Sequence, residues 1–167
     1  MSSAELRELH AYYALFSTYE LPNPVHTPAD LTDGTALWVV LSTVCVATYR
    51  RCIRCSSWCR DAEYFKPPSD VVPDNWVLRF TALKRLYRLM TQYLSDALHQ
   101  PNHTYDVPAL QEMAKESNPH ETLVMCRLVV TIAIQCANNA DVIQRIQGLG
   151  ESDQAELKKA IEQVAIS

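Results

Sequence analysis

Between Leu123 and Cys136 the chain is apolar on nearly every side of a helical wheel. A helix of that kind has no face to give to water, so it has to be covered all round by other parts of the same chain. Its start is marked by Asn118-Pro119-His120-Glu121: a capping side chain, a proline in the first turn and an acidic residue at the third position. Its longest apolar run, Leu128 to Ile134, is broken by Thr131 and is far too short to span a bilayer. The segment therefore predicts a central, buried helix.

The remaining sequence supplies helices to surround it. Ser2 and Glu5 have capping-box spacing, and Leu6, Leu9, Tyr13 and Phe16 follow at helical intervals before Pro22 and Pro24. A turn region rich in Pro, Thr and Asp then leads into Asp30-Leu31-Thr32-Asp33-Gly34. There Asp30 and Asp33 are placed to accept the unpaired N–H groups of a first helical turn, and Gly34 permits a close approach by another element. Leu37, Val40, Leu41 and Val44 continue as a helix to about Val46. Residues 47–74, rich in Cys and Arg and then in Pro and Asp, read as a loop with short helical turns. From 75 to 99, Trp76, Phe80, Leu83, Tyr87, Met90, Leu94 and Ala97 step by four and three as a core-facing stripe, ended by Pro101. A helix near Pro108 turns Leu110, Met113 and Ala114 inward. After the central helix, Asn138 or Asn139 caps a short helix carrying Val142, Ile143 and Ile146. Beyond Gly148 and Gly150, Ser152 caps a last helix to about Ala165. No alternating strand pattern and no repeat is present. The expected fold is all-α, with seven or eight helices.

Composition narrows the function. The 167 residues suffice for one domain with an appended element, at an ordinary 48% hydrophobic and 20% charged. Three glycines are too few for Rossmann or phosphate-loop chemistry. A net charge of −4 argues against a general nucleic-acid binder, although Arg50 to Arg60 hold four arginines and no acid. The N-terminus has no secretory h-region, so the six cysteines are expected as free thiols in a reducing compartment.

Candidates for chemistry are few. Cys52, Cys55 and Cys59, with Cys45 upstream, raise zinc binding, but the spacing is also one face of a helix and lacks two well-separated ligand pairs. Free thiols beside a partly buried surface are the plainer reading. Cys126 and Cys136 lie in the central helix as small core hydrophobes. His99 and His103 are separated by Pro101, and His10, His26 and His120 have no evident partners. No nucleophile elbow, phosphate loop or acid pair stands out, a Cys–His hydrolase lacks any supporting motif, and no cofactor is called for. Arg79, Lys84, Arg85 and Arg88 share one helix outside or beside its apolar stripe, as a solvated face or as a contact to an acidic surface.

The order of these pieces resembles the calponin-homology fold and, more closely, the N-terminal domain of the Hook family of cargo adaptors for cytoplasmic dynein. The matching pieces are Asp30-Leu31-Thr32-Asp33-Gly34, Asp74-Asn75-Trp76 with Leu83-Lys84-Arg85-Leu86, Leu128-Val129-Val130 through Cys136, Ile143-Gln144-x-Ile146, Leu149 to Gln154, and Ala160 to Val164. The chain departs from the pattern at 45–74. The resemblance implies a calponin-homology-like bundle over 1–147 and an appended amphipathic helix over 148–167.

In that last helix Gln154, Leu157, Ile161 and Val164 lie on one face, spaced three, four and three apart. Such a stripe packs on its own domain, begins a coiled coil, or helps form a groove for a partner helix. By the resemblance it completes a groove for a helix of the dynein light intermediate chain, with Ile161 filling a pocket and Gln154 hydrogen-bonding the peptide. The resemblance also implies a downstream coiled coil that dimerises the full-length protein, no bond-making activity and no membrane insertion. The alternative is a calponin-homology domain that binds microtubules or actin through the basic face.

Overall fold

The computed structural model describes residues 1–51, 65, 75–99, 106–136 and 138–166, the side chains of 46–51 and 164–166 excepted. Among them are seven α-helices, one short 3₁₀ helix and no strand. Helix α1 (Ser3–Phe16) starts from the expected capping box: Ser2 Oγ accepts the Glu5 N–H at 3.2 Å, and Glu5 Oε2 accepts the Ser2 N–H at 2.6 Å. It ends well before Pro22. The Ser17 and Thr18 hydroxyls donate to the Tyr13 and Leu15 carbonyls, occupying the acceptors of the last turn. Leu9, Tyr12, Tyr13 and Phe16 are buried, whereas Leu6 is 44% exposed, because the inward face is centred on Tyr12 rather than on the Leu6 edge.

Asp30 and Asp33 divide their work. Asp30, in the 3₁₀ helix Pro28–Leu31, accepts N–H bonds from His26 and Thr27 and the Thr27 hydroxyl, so it organises the chain before it rather than the helix after it. Asp33 Oδ1 accepts the Thr35 N–H at 2.9 Å, at the start of α2 (Thr35–Arg51). No proline or glycine interrupts the sequence at Val46, and α2 runs on past it. Gly34 sits at φ +75°, and a β-carbon there would lie 3.3 Å from Leu83 Cδ2. The glycine thus supplies a left-handed turn and the close approach of α3. Leu37, Val40, Leu41 and Val44 are all buried.

Helix α3 (Trp76–Asp96) opens with Asn75 Oδ1 accepting the Val77 N–H. Its buried residues are Leu83, Leu86, Met90, Tyr93 and Leu94, with Phe80 and Tyr87 packed at the margin. Trp76 and Ala97 lie outside the stripe: Trp76 is 36% exposed at the first turn and Ala97 is the exposed C-cap. The helix stops at Asp96, ahead of Pro101, which lies outside the described residues. Helix α4 (Leu110–Glu116) buries Leu110, Met113 and Ala114 as expected, and closes on Ser117 in the left-handed region.

Helix α5 (Pro119–Gln135) is capped by Asn118, whose side chain accepts the His120 N–H, while Glu121 reaches across to the Ala109 N–H at 2.6 Å. Eleven of its residues are buried, and every other helix packs against it. Helix α6 (Asn139–Gln147) carries a buried Val142 and a partly buried Ile146, but Ile143 is 42% exposed, on the outer side of a short helix. Helix α7 (Glu151–Ile166) starts two residues earlier than expected: Ser152 is inside it, and Gly150 occupies the capping position, with its carbonyl accepting the Gln154 N–H.

Replacing Gly34 by Ala strains a left-handed turn and presses on Leu83, so Gly34→Ala is expected to destabilise the domain by about 1–2 kcal/mol. Urea unfolding followed by circular dichroism should show a lower midpoint with an unchanged slope.

Candidate functional site

The last helix has an inner and an outer part. Leu157 and Ala160 are buried against α1 and α5, in the same core as Leu9 and Leu128. Ile161 packs at the margin of that core and stays partly open. Gln154, one turn before Leu157, folds back over the α6–α7 turn. Its Nε2 donates to the Gln147 carbonyl at 3.0 Å and to the Leu149 carbonyl at 2.7 Å, satisfying two acceptors where α6 ends. The four residues of the expected stripe therefore separate. Leu157 belongs to the core, Gln154 and Ile161 stand two turns apart at its border, and the Val164 side chain lies outside the described residues.

Charge organises the flank. A cavity of about 140 Å³ between α1, α5 and α7 is lined by Glu5, Glu8, Arg127, Glu156, Lys159 and Gln163, with Ala4 and Ala160 beside them. Arg127 is the single cation of α5, and its Nε and Nη2 both donate to Glu8 at 2.7 Å. These hydrogen bonds raise the guanidinium pKa further above its ordinary value, against the opposing effect of burial. Arg7 meets Glu156 at 3.1 Å and ties α1 to α7 along the exposed edge. His120, expected to be without a partner, faces Glu5 at 3.5 Å. The Glu8–Arg127 pair spans 119 residues of sequence, and the signal for it was a lone arginine inside an apolar helix.

The other candidates sort as follows. Arg79 is engaged, donating to the Ala114 carbonyl at the end of α4. Lys84 and Arg85 lean over the rings of Phe80 and Trp38, 6.0 and 5.8 Å from their centroids, and together with Arg88 they leave three exposed cations on α3. Cys126 and Cys136 are buried as expected, and Cys45 is partly buried. Cys52, Cys55, Cys59 and His103 lie outside the described residues. Among the described residues no group of His, Cys, Asp and Glu is arranged to hold a metal ion, and no single helix is long and apolar enough to cross a membrane.

The HOOK domain profile matches residues 8–163, from the first helix through the border of α7. The chain belongs to the HOOK domain family. It is 30% identical to human Protein Hook homolog 2 over 147 residues, covering 88% of this chain and 19% of that protein. It is 28% identical to Protein hook of Drosophila melanogaster over 156 residues, covering 92% of this chain and 22% of that one. The chain thus spans about a fifth of the length of these curated relatives. The solution structure of the conserved domain of HOOK1 from mouse superimposes with a TM-score of 0.75 at 22% identity, covering 99% of this chain and 92% of that one. The all-α, calponin-homology-like fold expected from the sequence is the fold of this HOOK domain.

Removing the Arg127 side-chain charge leaves the buried Glu8 without its cation, with the Tyr12 hydroxyl at 3.3 Å as its remaining side-chain donor among the described residues. Arg127→Met is expected to destabilise the HOOK domain by about 2 kcal/mol, less than a wholly buried pair would lose because the guanidinium is partly exposed. Combining it with Glu8→Met should recover part of that loss, as a double-mutant cycle of denaturant midpoints would reveal.

Proposed function

We propose that this HOOK domain is the protein-interaction module of a cytoplasmic cargo adaptor. Its work is to dock a helix of the dynein light intermediate chain at α7 and so link cytoplasmic dynein to cargo. The observation that carries the reading is the split character of α7: Leu157 and Ala160 fix the helix to the core, while Gln154 and Ile161 sit at the border, two turns apart and partly open. A partner helix gains from such an edge an apolar anchor at Ile161 and a polar contact at Gln154. The work is binding, and no step of it requires a cofactor or a bond to be broken. In a longer protein a coiled coil downstream would pair two such domains and let both engage the motor, raising avidity without new contacts.

The test is a titration of the domain with a light-intermediate-chain helix peptide. Ile161→Ala should weaken binding at least about tenfold, the scale of one truncated apolar anchor, with the far-ultraviolet circular dichroism of the wild type. Gln154→Ala should also weaken binding, with a small fall in melting temperature from the loss of its two turn hydrogen bonds. Wild-type affinity in both folded variants would sink the assignment.

A second reading draws on the three exposed cations of α3, Lys84, Arg85 and Arg88, which suit an acidic filament surface. It expects co-sedimentation with microtubules or actin filaments that falls steeply with salt and is indifferent to Ile161.

A further inference from the structure

Two cysteines that are far apart in sequence meet at one end of the core. Cys45 on α2 and Cys136, the residue that closes α5, place their sulfurs 3.3 Å apart across a sequence separation of 91 residues. The Tyr93 hydroxyl on α3 reaches the same Cys136 sulfur, also at 3.3 Å. The Phe65 ring lies 5.5 Å from Tyr93 and 6.4 Å from Trp38, so this one residue packs on the core beside the group. Cys126, by contrast, lies ten residues earlier on α5 and is wholly buried, with no sulfur partner among the described residues.

We propose that Cys45 and Cys136 are a redox modification site, forming a reversible disulfide that braces α2 to α5. Three features favour it. First, the sulfurs already face one another, and bonding at about 2.05 Å requires them to close by only about 1.2 Å. Second, Cys136 is set up as the attacking thiolate. The Cys45 S–H and the Tyr93 O–H can both donate to its sulfur, and these hydrogen bonds lower its pKa from the ordinary thiol value against the cost of burial. The same hydrogen bond and its own burial raise Cys45, which keeps its proton as the donor. Third, Cys136 is buried but Cys45 is partly open, so the pair meets solvent on the Cys45 side.

With hydrogen peroxide as the oxidant, the chemistry balances. The Cys136 thiolate attacks one peroxide oxygen and the O–O bond breaks. This leaves a sulfenic acid on Cys136, and hydroxide departs as water after taking a proton. Cys45 then attacks the sulfenic sulfur, the S–S bond forms, the S–O bond breaks, and a second water leaves with the Cys45 proton. Two thiols are oxidised and one peroxide is reduced to two waters. A dithiol reductant reverses the bond by exchange. A pair of this kind in a reducing compartment acts transiently, under an oxidant pulse, rather than as a permanent staple.

The experiment uses the whole 167-residue chain. It is treated with a modest excess of hydrogen peroxide, alkylated, and digested without reduction. The expected result is a peptide pair joined through Cys45 and Cys136, lighter by the two thiol hydrogens and separated again by dithiothreitol. Because the closed loop is long, the oxidised chain should also melt roughly 5 °C or more above the reduced one. Cys45→Ser should lose both the linked peptide and the rise in melting temperature. A second chain, with Cys52, Cys55 and Cys59 replaced by Ser, should retain both. The proposal is overturned if Cys45 and Cys136 are recovered as separate thiols or sulfinic acids while other cysteines oxidise. It is equally overturned if either is linked only to Cys52, Cys55 or Cys59.

Discussion

Helix α5 sets the terms for the rest of the domain, because it is apolar on all sides and still carries one arginine. A guanidinium taken out of water needs an acceptor with matching geometry, and α1 supplies it in Glu8, which takes both arms of the Arg127 fork. That contact brings α1 against α5, and α7 then lies along α1, held at the edge by Arg7 and Glu156 and in the middle by Leu157 and Ala160. On the opposite flank α2, α3 and α4 cover the remaining apolar surface. Gly34 allows α3 to approach the start of α2, and Arg79 and Glu121 close the ends of their neighbours through backbone atoms.

Much of this order was legible in the residues. Periodicity located the helices and made α5 central, since a pattern without a polar face has one physical outcome. Caps at Ser2 and Asn118 were readable because their partners lie within three residues. What escaped was long-range or a matter of a few degrees of rotation. Leu6 and Trp76 satisfy helical spacing but fall at the rim, because spacing fixes which residues share a face and not which face turns inward. Asp30 looked like a cap for α2 and instead serves the turn before it, since both uses need the same side chain. The pairing of Glu8 with Arg127 and of Cys45 with Cys136 depends on how α5 is rotated, which no local pattern encodes.

The candidate surface shows the same division. Gln154 and Ile161 were read as one face with Leu157, and the helix does carry all three on adjoining positions. Only the packing against α1 reveals that Leu157 is inside the domain and that its two neighbours are at the margin. An amphipathic stripe wider than its own core can cover leaves a border, and a border of this kind joins the stability of the fold to any contact made there.

The two hydrogen bonds from the Gln154 amide have a thermodynamic consequence. They are formed to the Gln147 and Leu149 carbonyls, in the turn that joins α6 to α7. A ligand that draws this amide away must leave those carbonyls to water, so occupancy at α7 and order in the turn are linked functions. Any such linkage runs both ways by the same factor: a change that stiffens Gly148 to Gly150 would shift the affinity of a ligand bound through Gln154, and that ligand would change how readily the turn opens.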